Sequence, residues 1–287
     1  MSAVVVGVDG SDTALDAVRW AAREAEHRHT DLLVVHAFDV AGLYADAAVA
    51  PLLTDVEERM RVEAGEILDA ARAAAGEVAP GVAVDVREDR EAPSVALIEE
   101  ARTASLLVLG SAGRGAVGTA LGSVTLTVAS HAQSPVVVVR GTSYDGPVLV
   151  GVDGGPSSDT ALAHAFAAAS EHGSGLTALY AWHDGRSPAL RAAGAFDRLR
   201  DAEERALAER LAGWSARYPD VAVERVIERS EPGRALTEHS AGARLVVVAT
   251  RGRGGFTGLL LGSTGLSLIQ RADCPVMLVG PAASVTP

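Results

Sequence analysis

Short runs of Val and Leu alternate along this chain with longer Ala-rich stretches. In the first half the runs cover residues 4–8, 32–37, 82–86, 106–109 and 136–139. In the second half they cover 148–152, 176–181, 221–227, 245–249 and 276–279. Predominantly apolar runs of this length predict strands buried on both faces of a sheet. The stretches between them carry apolar residues at helical spacing. Ala14, Val18, Ala21 and Ala22 share one face of the first, and Asp12 or Thr13 stands where it can cap the start. Strands alternating with helices predict a parallel, doubly wound α/β sheet in each half. Five strands per half suit a flavodoxin-like sheet, which takes ligands at the carboxyl ends of its strands.

The segments recur in the same order. Val4-Val-Val-Gly-Val-Asp-Gly10 returns as Val148-Leu-Val-Gly-Val-Asp-Gly154. Asp12-Thr-Ala-Leu15 returns as Asp159-Thr-Ala-Leu162, after three inserted residues. Ser134-Pro-Val-Val-Val-Val is matched by Cys274-Pro-Val-Met-Leu-Val. One domain has been copied once. The stretch Gly141-Thr-Ser-Tyr-Asp-Gly-Pro147 has linker composition, so the domains are expected over residues 1–141 and 147–281. Each is expected as a Rossmann-like, five-stranded parallel sheet between helices.

Composition narrows the partners. The chain has 287 residues, 48% hydrophobic and 22% charged, enough for two ordinary globular cores. A formal net charge of −12 argues against nucleic acid, whose phosphates require a basic face. No apolar run approaches the roughly 20 residues needed to span a bilayer, and the start lacks the basic and apolar regions of a signal peptide. No membrane partner is expected, and the expected location is the cytoplasm. The single cysteine, Cys274, opens an apolar run and reads as a packed, reduced thiol. The eight histidines lack metal-ligand spacing, so His27 and His29 read as surface residues of a helix end. Trp214-Ser-Ala-Arg-Tyr218 reads as packing at a helix end.

Two glycine loops follow the fourth run of each half. The first is Gly110-Ser111-Ala-Gly113-Arg114-Gly115 through Gly122-Ser123; the second is Ala249-Thr250-Arg-Gly252-Arg253-Gly254 through Gly262-Ser263. Glycine lets a backbone approach an anion, and free N–H groups at a helix start then bind it. On a doubly wound sheet these loops should meet the loops after the first strand, which carry Gly7, Asp9 and Gly10 or Gly151, Asp153 and Gly154. Each Asp is placed either to accept from a sugar hydroxyl or base amino group, or to close a turn. No Gly-x-x-x-x-Gly-Lys-Ser/Thr is present, which excludes a P-loop. The match Gly113-Arg-Gly115-Ala-Val-Gly118 follows the fourth strand, not the first, so it is no dinucleotide fingerprint. Neither Ser123 nor Ser263 sits in a Gly-x-Ser-x-Gly elbow, which argues against a hydrolase nucleophile. Arg251 and Arg253 flank the second loop, either touching phosphate or simply solvated.

These motifs, in the right order twice and over nearly the whole chain, resemble the universal stress protein family in its tandem form. ATP-binding members show Gly-x2-Gly-x9-Gly-Ser/Thr after the fourth strand and an Asp ending the first. The resemblance implies that Asp9 and Asp153 contact the nucleoside, with Gly7 and Gly151 the small residues beside them. It implies triphosphate binding by Gly110, Gly113, Gly122 and Ser123, with Ala249, Gly252, Gly262 and Ser263 in those places in the second copy. Val124 and Thr264 follow, where the family uses backbone N–H groups for phosphate. ATP is the implied ligand, with Mg2+ as its companion. The resemblance also implies that the last strands, each introduced by a proline unable to donate to a ladder, pair between domains. An intrachain pseudo-dimer is the expectation, with a homodimer as a further step.

Departures set the two copies apart. The first has eight residues between Gly113 and Gly122 where the pattern has nine, which threatens to move the helix start away from the phosphates. The second keeps nine, but has Ala249 for the first glycine and Gly265 where the first copy has Thr125, a possible phosphate hydroxyl. On spacing, the second site is favoured. The resemblance implies an ATP-binding regulator of stress or dormancy; with no residue placed as a general base, at most slow hydrolysis is expected. A nucleotide-free dimerisation or interaction module is the alternative. An adenylate-forming enzyme would need a substrate motif that the chain lacks.

Overall fold

The computed structural model describes residues 3–39, 50–113, 121–141, 145–182, 195–251, 261–281 and 283. The chain divides into two compact units, Met1–Val139 and Arg140–Val285. The first runs β1 (Val4–Gly7), α1 (Asp12–His27), β2 (Leu32–Ala37), α2 (Ala50–Val78), β3 (Val84–Asp89), α3 (Pro93–Glu100), β4 (Leu106–Gly110), α4 (Ser123–His131) and β5 (Val136–Val139). Its strands are parallel, in the order β3-β2-β1-β4-β5.

The second unit repeats the scheme. It runs β6 (Val148–Gly151), α5 (Ser157–Glu171), β7 (Leu176–Ala181), α6 (Ala195–Arg217), β8 (Val223–Glu228), α7 (Pro232–Ser240), β9 (Leu245–Ala249), α8 (Ser263–Arg271) and β10 (Val276–Val279). Its parallel order is β8-β7-β6-β9-β10. The chain thus walks outward from the first strand, then returns to its other side. In the first unit α1 packs beside α2, and α3 beside α4. Right-handed crossovers place these pairs on opposite faces of the sheet. The order reverses between β1 and β4, and between β6 and β9, which opens a crevice at the strands' carboxyl ends.

The core follows the apolar pattern. Val4, Val6, Leu106, Leu107 and Val108 are fully buried, and such side chains each contribute about 1.5–3 kcal/mol on burial. Helix α1 turns Ala17, Ala21, Ala22 and Ala25 inward, all fully buried. These small side chains let the helix lie close to the sheet. Before β5 and β10, the carbonyls of Pro135 and Pro275 accept from Leu107 N (3.0 Å) and Val246 N (2.9 Å). Each proline thus joins the ladder through the one backbone group it can offer.

Two expectations need correction. The third strand of each unit starts two residues later than the apolar run, at Val84 and Val223, and continues into charged residues. It is not buried on both faces: Val84 and Val86 are half-buried, while Asp85 and Arg87 are exposed. Lying last in the order of its sheet, this strand needs only one apolar face. The cap of α1 is neither Asp12 nor Thr13 but Ser11, whose Oγ accepts from Ala14 N at 3.2 Å.

Candidate functional site

The site of the first unit grows from the end of β1. Gly7 is packed so closely that a β-carbon would sit 2.9 Å from the side chains of Leu97 and Leu109. Gly10 has φ +81°, and its counterpart Gly154 has φ +74°, a region that favours glycine and reverses the chain toward the next helix. Between them stands Asp9. Its Oδ1 accepts from Ser11 N at 3.0 Å and Ser11 Oγ at 2.6 Å, so this carboxylate does close the turn. Its Oδ2 faces the other way, where a β-carbon on Gly113 would lie 2.9 Å from it. One carboxylate therefore serves both readings, with one oxygen for the turn and one beside the glycine loop.

That loop is anchored on both sides. At the end of β4, a β-carbon on Gly110 would come within 2.8 Å of Thr13 O, so this glycine admits the first turn of α1. Thr13 Oγ1 donates to Ala112 O at 2.5 Å. Gly122 N donates to Ser111 O at 3.4 Å, and α4 begins at the next residue. Arg114 and Gly115 lie outside the described residues. Thr125, read as a possible phosphate hydroxyl, instead donates to Gly110 O at 3.1 Å and is buried.

These pieces enclose a cleft of about 500 Å³. Of the residues anticipated from the sequence, Gly7, Asp9, Gly110, Gly113, Gly122, Ser123 and Val124 line it. Ser111 does not; its carbonyl closes the loop. The opposite wall is apolar, made by Val35 and Ala37 at the end of β2 with Leu97 and Leu109. Among the described lining residues Asp9 alone is ionisable. The cleft offers an apolar slot, one carboxylate and the N-terminal N–H groups of α4, which suits a flat apolar ring joined to an anion.

The second unit uses the same parts differently. Asp153 Oδ1 accepts from Gly155 N at 2.8 Å and Ser158 Oγ at 2.6 Å, and Asp153 N donates to Ser158 Oγ at 3.0 Å. Arg210 on α6 holds the longer connection by donating to Gly155 O at 2.9 Å. Gly151 is as tightly placed as Gly7: a β-carbon would meet Leu236 at 2.8 Å. Ala249 ends β9 half-buried and Thr250 is buried. Gly262 N donates to Thr250 O at 2.8 Å, and Ser263 and Thr264 open α8. Gly252, Arg253 and Gly254 lie outside the described residues. Arg251 is exposed, near Ser157, Thr160 and Thr250.

The missing residue of the first loop does not displace its helix. Ser111 to Gly122 and Thr250 to Gly262 are matched closures, although ten residues lie between the first pair and eleven between the second. Both Gly122 and Gly262 are extended caps followed directly by helix.

Elsewhere, burial pushes the Cys274 thiol up to about 12, so the cysteine is a packed neutral thiol. Trp214 and Tyr218 stack on the buried Phe166 with ring centroids 6.1 and 5.7 Å away. His27 and His29 are exposed, and no cluster of metal-ligating side chains occurs among the described residues. None of the described helices is long and apolar enough to cross a membrane.

The universal stress protein family matches residues 1–140 and again residues 146–280. The chain belongs to this family. A universal stress protein of Mycolicibacterium smegmatis is 38% identical over 288 residues, covering 97% of each chain. One from Mycobacterium tuberculosis is 37% identical over 288 residues, covering 96% of this chain and 95% of its own. The crystal structure of a universal stress protein from Archaeoglobus fulgidus has a TM-score of 0.66 at 22% identity, over 97% of this chain and 98% of that one. That last likeness speaks for the fold alone.

In this universal stress protein the residue pattern pointed to neither Ser11 nor Ser158, and to Thr13 only as a helix cap. A signal for the two serines was available, because the repeat extends one residue further, as Ser11-Asp-Thr-Ala-Leu15 and Ser158-Asp-Thr-Ala-Leu162. Val35 and Ala37 were noted as strand but not as cleft wall. Nothing local distinguishes them from other buried strand residues.

Proposed function

We propose that this tandem universal stress protein binds an adenine nucleotide, ATP above all, in the first-copy cleft, and acts in a stress or dormancy response through its bound state. The supporting observation is the meeting of Asp9 with the glycine loop. Asp9 Oδ2 lies beside Gly113, and a β-carbon on Gly122 would be 3.6 Å from Gly113 N. The nucleoside would sit against Val35 and Ala37, with its sugar toward Asp9 and its phosphates on the start of α4. The second copy keeps the carboxylate and the helix start, which supports a second site of the same kind. With a single carboxylate among the described lining residues, Mg2+ fits only as a companion of the phosphates. The same shortage of acid–base groups supports a binding protein with slow hydrolysis at most.

Gly122→Asp tests this reading. Aspartate is a favoured helix cap and the site has room, the nearest atom to a β-carbon being 3.5 Å away, so the fold should stand. Its charge, however, would face incoming phosphates. Nucleotide released from denatured wild-type protein should be adenine nucleotide, and the variant's ATP affinity at this site should fall at least about tenfold. Equal ATP binding by the two proteins would sink the assignment.

A further inference from the structure

We propose that Ser11 and Thr13 form a hydroxyl relay coupling the two ends of the first-copy cleft. A sugar hydroxyl on Asp9 then tightens the glycine loop that takes the phosphates. This rests on the nucleotide reading above. Ser11 Oγ donates to Asp9 Oδ1 at 2.6 Å, and Thr13 Oγ1 donates to Ala112 O at 2.5 Å. The two hydroxyl oxygens are 3.2 Å apart. Two hydroxyl protons therefore face three acceptors: Asp9 Oδ1, Ala112 O and the neighbouring hydroxyl. With one proton on Asp9 and the other on Ala112 O, the contact between the hydroxyls holds none.

A ligand hydroxyl donating to the carboxylate changes that balance. The ligand donates to Oδ2, draws charge from the carboxylate and so weakens its hold on the Ser11 hydroxyl; Oδ1 keeps Ser11 N at 3.0 Å, and the hydroxyl proton shifts toward Thr13. Ser11, Thr13 and Ala112 O then form one continuous chain, in which each hydrogen bond polarises the next. The hold on Ala112 strengthens, and Ala112 lies between Gly110 and Gly113. No such chain occurs among the described residues of the second copy. There Ser158 Oγ both donates to Asp153 Oδ1 and accepts from Asp153 N. Thr160, the counterpart of Thr13, stands fourth in α5, whereas Thr13 stands second in α1. Thr13 is thus a positioning residue, and only in the first copy.

Calorimetric titration of the full-length protein with adenosine, ATP and the 2′,3′-dideoxy form of each reads the coupling directly. In the wild type the sugar hydroxyls should raise ATP affinity about fivefold more than they raise adenosine affinity. That excess should vanish in Thr13→Val, return in Thr13→Ser and persist in Thr160→Val. Ser11→Ala, which removes the other hydroxyl, should abolish it as well. An unchanged excess in Thr13→Val or Ser11→Ala overturns the relay while leaving nucleotide binding in place. Failure of the wild type to bind ATP at all overturns the nucleotide reading itself.

Discussion

In the first unit the glycine loop returns to Gly122, whose N–H reaches Ser111 O at 3.4 Å; in the second, Gly262 reaches Thr250 O at 2.8 Å. The copies differ in loop length, in the residue ending the fourth strand, and in the connection leading to the first helix. Yet both close at the same pair of positions and start a helix at the next serine. A deletion within a loop leaves its ends in place when a hydrogen bond and a helix cap hold them, because closing entropy changes slowly with length. The two copies diverge where hydrogen bonds were redistributed, and the loop closure with its helix start is the part they share.

The largest effect should come from adding methyl groups to the first copy. Gly110→Ala places a β-carbon 2.8 Å from Thr13 O, a backbone atom that cannot step aside cheaply. We expect a loss of roughly 3 kcal/mol in urea unfolding, with loss of nucleotide. In the second copy Ala249 already carries that methyl, beside a connection three residues longer. Ala249→Gly should cost only about 0.5–1 kcal/mol, the usual penalty of glycine in a strand. Equal losses in both variants would break the contrast.

A smaller effect separates Ser134 from its counterpart Cys274. The Ser134 hydroxyl is buried with no hydrogen-bond partner among the described residues, whereas Cys274 fills the matched place as a buried thiol. Ser134→Cys should therefore stabilise the first unit, by about 1 kcal/mol in the same assay. No gain would mean that the hydroxyl is solvated in solution.

The smallest effect is confined to alkaline pH. Burial raises the Cys274 thiol from 9.0 to about 12, so the unfolded chain ionises there before the folded one does. The stability contributed by the neutral thiol is complete below pH about 9 and is lost as pH rises toward about 12. Cys274→Ser should flatten that part of the unfolding-midpoint profile. A profile identical to the wild type's would show that the folded thiol ionises as readily as the unfolded one.

Much of this was legible along the chain, and the particular misses are instructive. Periodicity placed β2, β5, β7, β9 and β10 to the residue, because parallel strands covered on both faces are predominantly apolar. It started β3 and β8 two residues early, since a strand last in its sheet can carry charge on one face. The residues Asp9, Gly113 and Gly122 were picked out by type and spacing, and the fold brings them together. The tasks of Thr13 and Thr125 were not legible. Thr13 is bonded to a carbonyl 99 positions away and Thr125 to one 15 positions away, and no local pattern announces either partner.

The sequence alone determined the duplication, the alternation of strands and helices, and the glycine loops with their aspartates. These depend on periodicity and residue type, which are written in order along the chain. Tertiary structure decided which oxygen of Asp9 closes the turn and which faces the loop, that the shortened first loop still ends at its helix, and that Thr125 serves the backbone. Those outcomes depend on distances between residues remote in sequence, and such distances exist only once the sheet has brought the ends of β1 and β4 side by side.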